Sequence, residues 1–253
     1  MRTRPIPMLC GAFMLTLLLA LPAFAQELTV SAAASLTDAF DAAKAAFESK
    51  HEGVTIVINY GSSGALFRQI EQGAPVDVFA AANPKWMDRA EEAGLVEPET
   101  RTDFARNTLV LTTPAENSAG IAKAADLLED HVERIAMGTP ETVPAGQYAR
   151  ESLVMLGYWD TLAFKYIYAE NVRAVLDYLR RGEVDAGFVY RTDAMQGGEE
   201  VAIIEEMPLK NPVTYPIAIM KESGNKELAA RFIDFLGSDE GMAILEEYGF
   251  SRP

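Results

Sequence analysis

Short turns rich in serine and glycine stand where several helices are predicted to begin, and such turns can hold an anion. Ser35 lies at the predicted start of the first helix, and Asp38 follows three positions later, as in a capping box. Ser62 and Ser63 precede the next predicted helix and lie between two glycines, which let the backbone come close to a ligand. These turns therefore offer hydroxyl groups together with helix amino termini.

Two similar turns occur in the second half of the chain. Residues 143–146, Val-Pro-Ala-Gly, follow a predicted strand and open a helix, and proline suits the first helical position. Asn171 is a predicted cap for a helix that begins at Val172. Helix amino termini expose unpaired N–H groups and the positive end of the macrodipole, so several aimed at one cavity would hold an anion. None of these turns contains Lys or Arg, so the predicted donors are uncharged.

Each turn taken alone also has an ordinary structural explanation. A serine before a helix is usually only a cap, and Pro-Ala-Gly is usually only a turn. The residues by themselves therefore lead to an exported α/β binding protein or hydrolase, and they do not identify the ligand.

The elements that must position these turns alternate between strand-like and helix-like patterns, which predicts mainly parallel sheets flanked by helices, an α/β fold. The predicted strands are 28–33, 54–60, 76–81, 108–113, 134–138, 185–190 and 212–220. The predicted helices are 36–49, 65–72, 85–93, 122–129, 145–156, 172–181 and a pair between 226 and 248.

Two α/β units joined near Asn107 and Val213 would form two lobes, with the chain crossing between them twice. We expect residues 26–107 and 213–253 to form the first lobe and residues 108–212 the second. Ligands collect at the carboxyl ends of strands in open α/β sheets, so the binding cleft is expected between the lobes.

The first 25 residues are typical of a secretory signal. Arg2 and Arg4 precede an apolar run from Met8 to Leu21, and an Ala-x-Ala cleavage site ends at Ala25. We therefore expect residues 1–25 to be a signal peptide and the mature chain to be exported to the periplasm.

Composition excludes several classes of function. The net charge of −15 makes nucleic acid and anionic membranes poor partners. The single cysteine, Cys10, lies in the predicted signal, so the mature chain has no thiol for disulfides, metals or catalysis. The two histidines, His51 and His131, lie in a turn-like segment and a charged one, which argues against a zinc site or a catalytic triad.

In order along the mature chain, several segments resemble the periplasmic molybdate-binding proteins of bacterial ABC importers. The similar segments are AAASLT (32–37), GSSGAL (61–66), QIEQGAPVDVF (69–79), KWMD (85–88), VPAGQYA (143–149), ENVR (170–173), GFVY (187–190) and YPIA (215–218). As a set these motifs are specific, although each one alone would be weak.

The resemblance implies a two-lobed periplasmic binding protein of type II that binds molybdate, and tungstate, with high affinity and delivers it to the membrane permease of an ABC transporter. It implies no catalysis, no cofactor and a monomer. It also assigns the oxyanion to Ser35 and Ser63 through hydroxyl and N–H, to the N–H groups of Ala145 and Val172, and to the Tyr190 hydroxyl. No residue would coordinate the metal directly, and whether Ser62 or Ser63 contacts the ligand stays open.

Three other functions remain open at this point. A sulfate, phosphate or chromate binder would share the fold and most of the donors. A ferric-ion binder would depend on tyrosine phenolates, for which Tyr148, Tyr190 and Tyr215 are the candidates. An exported hydrolase would need an activated nucleophile, which the sequence does not offer.

Overall fold

The computed structural model describes residues 26–253; the predicted signal at residues 1–25 lies outside the described residues. The strands are β1 (Gln26–Ala33), β2 (Val54–Gly61), β3 (Val78–Ala80), β4 (Thr102–Asn107), β5 (Leu109–Pro114), β6 (Ile135–Gly138), β7 (Tyr166–Ala169), β8 (Ala186–Tyr190), β9 (Val201–Glu206) and β10 (Val213–Ile219). The α-helices are α1 (Thr37–Lys50), α2 (Ser63–Glu71), α3 (Pro84–Glu92), α4 (Pro144–Leu156), α5 (Val172–Arg180), α6 (Arg191–Gly197), α7 (Lys226–Gly237) and α8 (Asp239–Glu247).

The strands form two sheets of five, with the orders β2-β1-β3-β10-β4 and β7-β6-β8-β5-β9. In the first sheet β1 is parallel to β2 and β3, whereas β10 is antiparallel to both of its neighbours. In the second sheet β6 is parallel to β7 and β8, whereas β5 is antiparallel to both of its neighbours. Only one strand per sheet is reversed, so the predicted class is confirmed: α/β, two lobes, each a mainly parallel sheet flanked by helices.

The chain passes between the sheets twice. Asn107 ends β4 in the first sheet and Leu109 begins β5 in the second, so a single residue, Thr108, separates them. The return passage runs from Glu206, at the end of β9, to Val213, at the start of β10. This strand membership supports the predicted lobes, 26–107 with 213–253 and 108–212, whose boundaries stay a prediction.

The elements that the sequence pattern did not predict are mostly edge strands. β4, β7 and β9 each pair with one strand only. Exposed apolar residues, Ile167 and Tyr168 in β7 and Ile203 in β9, interrupt the alternation typical of half-buried strands. Helix α6 was also missed. The helix predicted at 122–129 is a short 3₁₀ helix, Ala124–Leu128, whose N-cap lacks the Ser, Thr or Asn side chain that favours a longer helix.

The core of the first lobe packs aromatic rings between the sheet and the helices. Phe40 and Phe47 of α1 each meet Phe232 of α7 edge to face, with centroids 6.1 and 5.4 Å apart. All three rings are buried.

No helix within residues 26–253 is long and apolar enough to cross a membrane.

A close contact between two glycines sets where α4 begins. A Cβ atom on Gly146 would lie 1.8 Å from the carbonyl oxygen of Gly138, the last residue of β6. A Cβ on Gly138 would in turn lie 2.2 Å from a methyl group of Val143. The Val-Pro-Ala-Gly turn can therefore rest on the end of β6 only because both positions lack side chains.

We expect Gly146→Ala to lower the free energy of unfolding by about 1 to 3 kcal/mol, because the added methyl group must displace backbone. Gly237→Ala is the matched control, since a Cβ at Gly237 would meet nothing within 4 Å. Urea unfolding of the three proteins measures the difference. Equal stability of the Gly146→Ala protein and the wild type would contradict this packing.

Candidate functional site

The starts of helices from both lobes line one small cavity, which has about 200 Å³ of empty space. Its lining consists of Ala33, Ala34, Ser35, Gly61, Ser62, Ser63 and Ala82 from the first sheet's half and Val143, Pro144, Ala145, Asn171, Val172 and Tyr190 from the second's. All five residues that the sequence predicted as ligand donors are therefore brought together. Among the described residues that line the cavity, none is charged.

Four of the five predicted donors stand in the first turn of a helix. Ser35 lies in a 3₁₀ helix, Ala34–Leu36, between β1 and α1. Ser63 and Val172 are the first residues of α2 and α5, and Ala145 is the second residue of α4. N–H groups at these positions have no carbonyl partner within their own helix, so they are available to a ligand. The helix macrodipoles place their positive ends at the same cavity.

Three hydroxyl groups at the cavity, those of Ser35, Ser63 and Tyr190, each form a hydrogen bond within the protein. Ser63 Oγ accepts from the Ala82 N–H at 3.0 Å, so its own proton is free to donate. Ser35 Oγ lies 2.9 Å from the Tyr215 hydroxyl. Tyr190 reaches across the cleft, and its hydroxyl donates to the Ala82 carbonyl at 3.2 Å. Hydroxyl groups from both lobes therefore line the cavity, and the Tyr190 proton is hydrogen-bonded to Ala82 in this structure.

The structure distinguishes the two neighbouring serines. Both line the cavity, but Ser63 is fully buried and its oxygen is held by a backbone N–H. Ser62 is the N-cap of α2, and its side chain makes no capping hydrogen bond. This difference favours Ser63 as the ligand serine, which stays a prediction.

The capping predicted from sequence is right at one turn and wrong at another. The Asn171 side chain accepts from the Ala174 N–H at 3.0 Å, as expected of an N-cap. The capping box predicted for Ser35 and Asp38 does not form, because α1 begins only at Thr37 and the Ser35 hydroxyl bonds to a tyrosine instead. Ser35 therefore does not cap a helix, and it lines the cavity.

The tyrosines of the site are neutral hydrogen-bond donors. Tyr190 and Tyr215 are buried, and this burial raises the pKa of each phenol well above its ordinary value. Burial also raises the pKa of Tyr148, which packs against Tyr190. With no cation beside them, these phenols are therefore protonated at neutral pH. Residues 26–253 also contain no cluster of three or more His, Cys, Asp or Glu residues able to hold a metal ion.

Direct contacts join the two lobes around the cavity. The Gly64 N–H donates to the Thr142 carbonyl at 2.9 Å, and a Cβ on Gly64 would lie 2.6 Å from that oxygen. The Asn83 side chain donates to the Gln147 side chain at 2.6 Å. The structure therefore represents the protein with its lobes in contact, and a glycine at position 64 permits that approach.

Charged groups lie beside the cavity rather than in it. Arg173, the residue after Val172, pairs with Asp38 of the first lobe at 2.6 Å and with Asp193 of the second at 2.7 Å. Asp193 is fully buried and also accepts from the Tyr190 N–H at 3.3 Å. Burial raises the pKa of Asp193 to about 6, although Arg173 acts in the opposite direction. Arg173 follows Val172, and Asp193 bonds to Tyr190, so this ion-pair network connects both predicted ligand residues to Asp38 of the first lobe.

Larger clefts exist elsewhere but differ in chemistry. One of about 1520 Å³ lies where β1 begins, and Glu27, Glu71 and Asp77 are among its lining residues. Carboxylates repel an anion, and the cleft lies at the amino end of β1, whereas the small cavity lies at its carboxyl end. The uncharged cavity is therefore the candidate site.

Sequence reasoning missed several residues of this region. Ala82 supplies both an N–H and a carbonyl to the site, and Asn107 and Tyr215 stand behind Ser35. The only local signal for Ala82 was the strand ending before Asn83, the cap of α3. The sequence indicates Tyr215 as part of the YPIA segment and as a candidate phenolate, but not as a partner of Ser35.

Known proteins resemble this chain over most of its length. A family model described as "Bacterial extracellular solute-binding protein" matches residues 28–251. The molybdate-binding protein ModA of Escherichia coli (strain K12) is 39% identical over 236 residues, which cover 89% of each chain. The ModA protein of Haemophilus influenzae is 36% identical over 230 residues, covering 89% of this chain and 90% of its own.

A solved structure shows the same fold. The periplasmic molybdate-binding protein of Azotobacter vinelandii superposes with a TM-score of 0.80 at 24% identity, covering 89% of this chain and 99% of that one. At this identity the likeness concerns the fold alone.

The buried carboxyl of Asp193 predicts a specific pH dependence. Its pKa is about 6 in the folded protein against an ordinary 3.8, so the folded state binds the proton more tightly than the unfolded chain does. This stabilisation is complete below about pH 3.8 and is lost as the pH rises through about 6. We therefore expect the wild type to lose stability relative to Asp193→Asn as the pH rises from about 4 to about 7.

Urea unfolding of both proteins at several pH values measures this difference, and the shared titration of all other groups cancels. A difference that stays constant, or that changes in favour of the wild type with rising pH, would show that the Arg173 ion pair outweighs the burial of Asp193.

Proposed function

Because this chain belongs to the family of bacterial extracellular solute-binding proteins, we propose that it captures molybdate in the cavity between its lobes. Members of this family are transport components and not enzymes, so the chain is a solute-binding protein that needs no cofactor. The single observation that supports an oxyanion ligand is an uncharged cavity lined by four helix starts from both lobes.

The proposed binding uses neutral donors only. The hydroxyl and N–H groups of Ser35 and Ser63 contact the anion from the first lobe. The N–H groups of Ala145 and Val172 contact it from the second lobe. The Tyr190 hydroxyl joins them once its single proton, which the Ala82 carbonyl accepts in this structure, turns to the anion. Hydrogen bonds to a charged acceptor are short and about twice as strong as neutral ones, and a buried dianion needs nearly all of its oxygens satisfied. The molybdenum atom itself has no protein ligand in this proposal.

The same donors argue against a ligand that carries a proton. The cavity lining includes no carboxylate or imidazole among the described residues, and Ser63 Oγ already accepts from Ala82. A proton on hydrogen phosphate would therefore find few acceptors, chiefly the Ala82 carbonyl that Tyr190 uses in this structure, and a buried unsatisfied donor costs about 1 to 3 kcal/mol. Molybdate, tungstate, sulfate and chromate can all bind fully ionised, so radius must separate them.

Among these four oxyanions, the names of the relatives support molybdate as the ligand. Two of them, about two-fifths identical to this chain, carry the name molybdate-binding protein. Tungstate is close to molybdate in size and charge, and we propose that it binds with similar affinity. Sulfate is smaller, so a rigid set of donors spaced for molybdate cannot reach all of its oxygens at once.

Binding between lobes explains how capture could be signalled. Only the closed form brings all the donors together, so the ligand raises the closed population. We propose that the membrane permease of an ABC transporter recognises that closed form. We further propose that residues 1–25 direct export to the periplasm and that the chain acts as a monomer.

Titration calorimetry of the ligand-free protein with molybdate, tungstate, sulfate and phosphate tests the ligand. Molybdate and tungstate are expected to bind far more tightly than sulfate, and phosphate is expected to bind most weakly because of its proton. Sulfate binding equal to molybdate binding would overturn the proposal in favour of a general dianion binder.

Removing one serine hydroxyl is expected to weaken molybdate binding without unfolding the lobe. Ser35→Ala and Ser63→Ala should each reduce affinity roughly 10- to 100-fold, because a hydrogen bond to a charged group is worth about 1.5 to 3 kcal/mol. Ser62→Ala should have a smaller effect than Ser63→Ala. Ser49→Ala, at an exposed position on α1, is the control. Unchanged affinity in both of the first two variants would remove these serines from the site.

A further inference from the structure

We infer that Tyr215 and Asn107, neither of which lines the cavity, act as positioning residues that hold the Ser35 hydroxyl proton toward the anion. This inference rests on the proposed function, because it concerns how the same site is prepared for its ligand. It assigns a role to a hydrogen-bond chain that runs from the half-buried Asn107 through the buried Tyr215 to Ser35.

The orientation of the Asn107 amide is set by its surroundings. Its Oδ1 atom accepts from the Thr108 N–H at 2.9 Å, and a backbone N–H can only donate. The Nδ2 atom must therefore face the other way, where it donates to Thr192 Oγ1 at 2.8 Å and to the Tyr215 hydroxyl at 3.2 Å. The chain thus begins with a group that can only donate to Tyr215.

That donor determines where the Tyr215 proton goes. The Tyr215 hydroxyl makes its two well-formed hydrogen bonds within residues 26–253 with Asn107 Nδ2 and Ser35 Oγ. The Tyr190 hydroxyl also lies near it, but its own hydrogen bond goes to the Ala82 carbonyl. Since Nδ2 cannot accept, Ser35 Oγ is the acceptor for the Tyr215 proton, at 2.9 Å. Tyr215 is fully buried, so leaving its proton without a partner would be costly. Burial also raises the pKa of Tyr215, so that proton is present at neutral pH.

The consequence falls on Ser35. Its oxygen accepts from Tyr215, so its own proton is left for the cavity that it lines. If the direction were reversed, Ser35 would donate to Tyr215 and present lone pairs to an anion, which is repulsive. Ser63 is held as a donor by one contact, because its oxygen accepts a hydrogen bond from the Ala82 N–H. Both serines are therefore held as donors before the ligand arrives.

The position of Asn107 links this preparation to the passage between the lobes. Asn107 is the last residue of β4, immediately before the chain crosses into the second sheet, and Tyr215 lies on β10 beside it. Thr192, its other partner, lies at the start of α6 in the second half of the chain. The direction of the Ser35 proton therefore depends on contacts at the crossing as well as in the cavity.

A double-mutant cycle on molybdate binding, measured by titration calorimetry, tests this role. Tyr215→Phe should weaken binding about ten-fold, because the Ser35 hydrogen bond to the charged ligand is no longer oriented. In a Ser35→Ala background the same change should have almost no effect, since the group that it positions is gone. Tyr166→Phe is the matched control: it removes a phenol that donates to the Trp159 carbonyl at 2.9 Å, in the second lobe, and should leave affinity unchanged.

Asn107→Asp extends the test with a nearly isosteric change. The introduced carboxylate can accept the Tyr215 proton, so Ser35 is expected to turn its own proton toward Tyr215, and affinity should fall by more than in Tyr215→Phe. The added negative charge also repels the anion, but that effect is present with and without the Ser35 hydroxyl and cancels in the cycle. This variant also serves if Tyr215→Phe does not fold.

The outcomes separate the two proposals. If the wild type binds sulfate but not molybdate, the ligand proposal fails, and the cycle is run with sulfate. If the wild type binds none of molybdate, tungstate and sulfate, both proposals fail. If it binds, and the losses caused by Tyr215→Phe and Ser35→Ala simply add, the positioning role is wrong. A loss from Tyr215→Phe that disappears in the Ser35→Ala background supports it.

Discussion

The site depends on the N–H groups in the first turn of a helix, which have no carbonyl partner within that helix. Here Ser35, Ser63, Ala145 and Val172 place such groups around one cavity. A dianion removed from water is stable only if its oxygens are matched almost completely by donors. Neutral amides and hydroxyls can do this while leaving the ligand free to depart, because no opposite charge is buried with it.

The fold brings these helix starts together at one cavity. In each lobe, parallel strands end at the same edge of the sheet, and the helices that follow begin there. Each half alone provides only part of the donor set, so the contacts between lobes complete the site. The same contacts include the hydrogen bond from the Gly64 N–H to the Thr142 carbonyl.

Charge is kept close to the cavity but outside it. The protein is strongly acidic. Arg173 forms ion pairs with Asp38 and Asp193 and does not line the cavity. In our proposal the direction of the serine protons favours an anion, and the radius of the donor set separates molybdate from sulfate. Ser63 is held as a donor by a backbone amide, whereas we propose that Ser35 is held by a chain of side chains that begins at the crossing between lobes.

The sequence by itself determined the α/β class and the helix starts, because caps, glycines and apolar periodicity are local signals. The individual donors were predicted only from the resemblance to molybdate-binding proteins. It could not determine the edge strands β4, β7 and β9, whose stability comes from one neighbouring strand. Only the tertiary structure decided that Ser35 is no helix cap. Its partner, Tyr215, lies 180 positions away, and a hydroxyl's proton direction depends on such distant contacts rather than on neighbours in the chain.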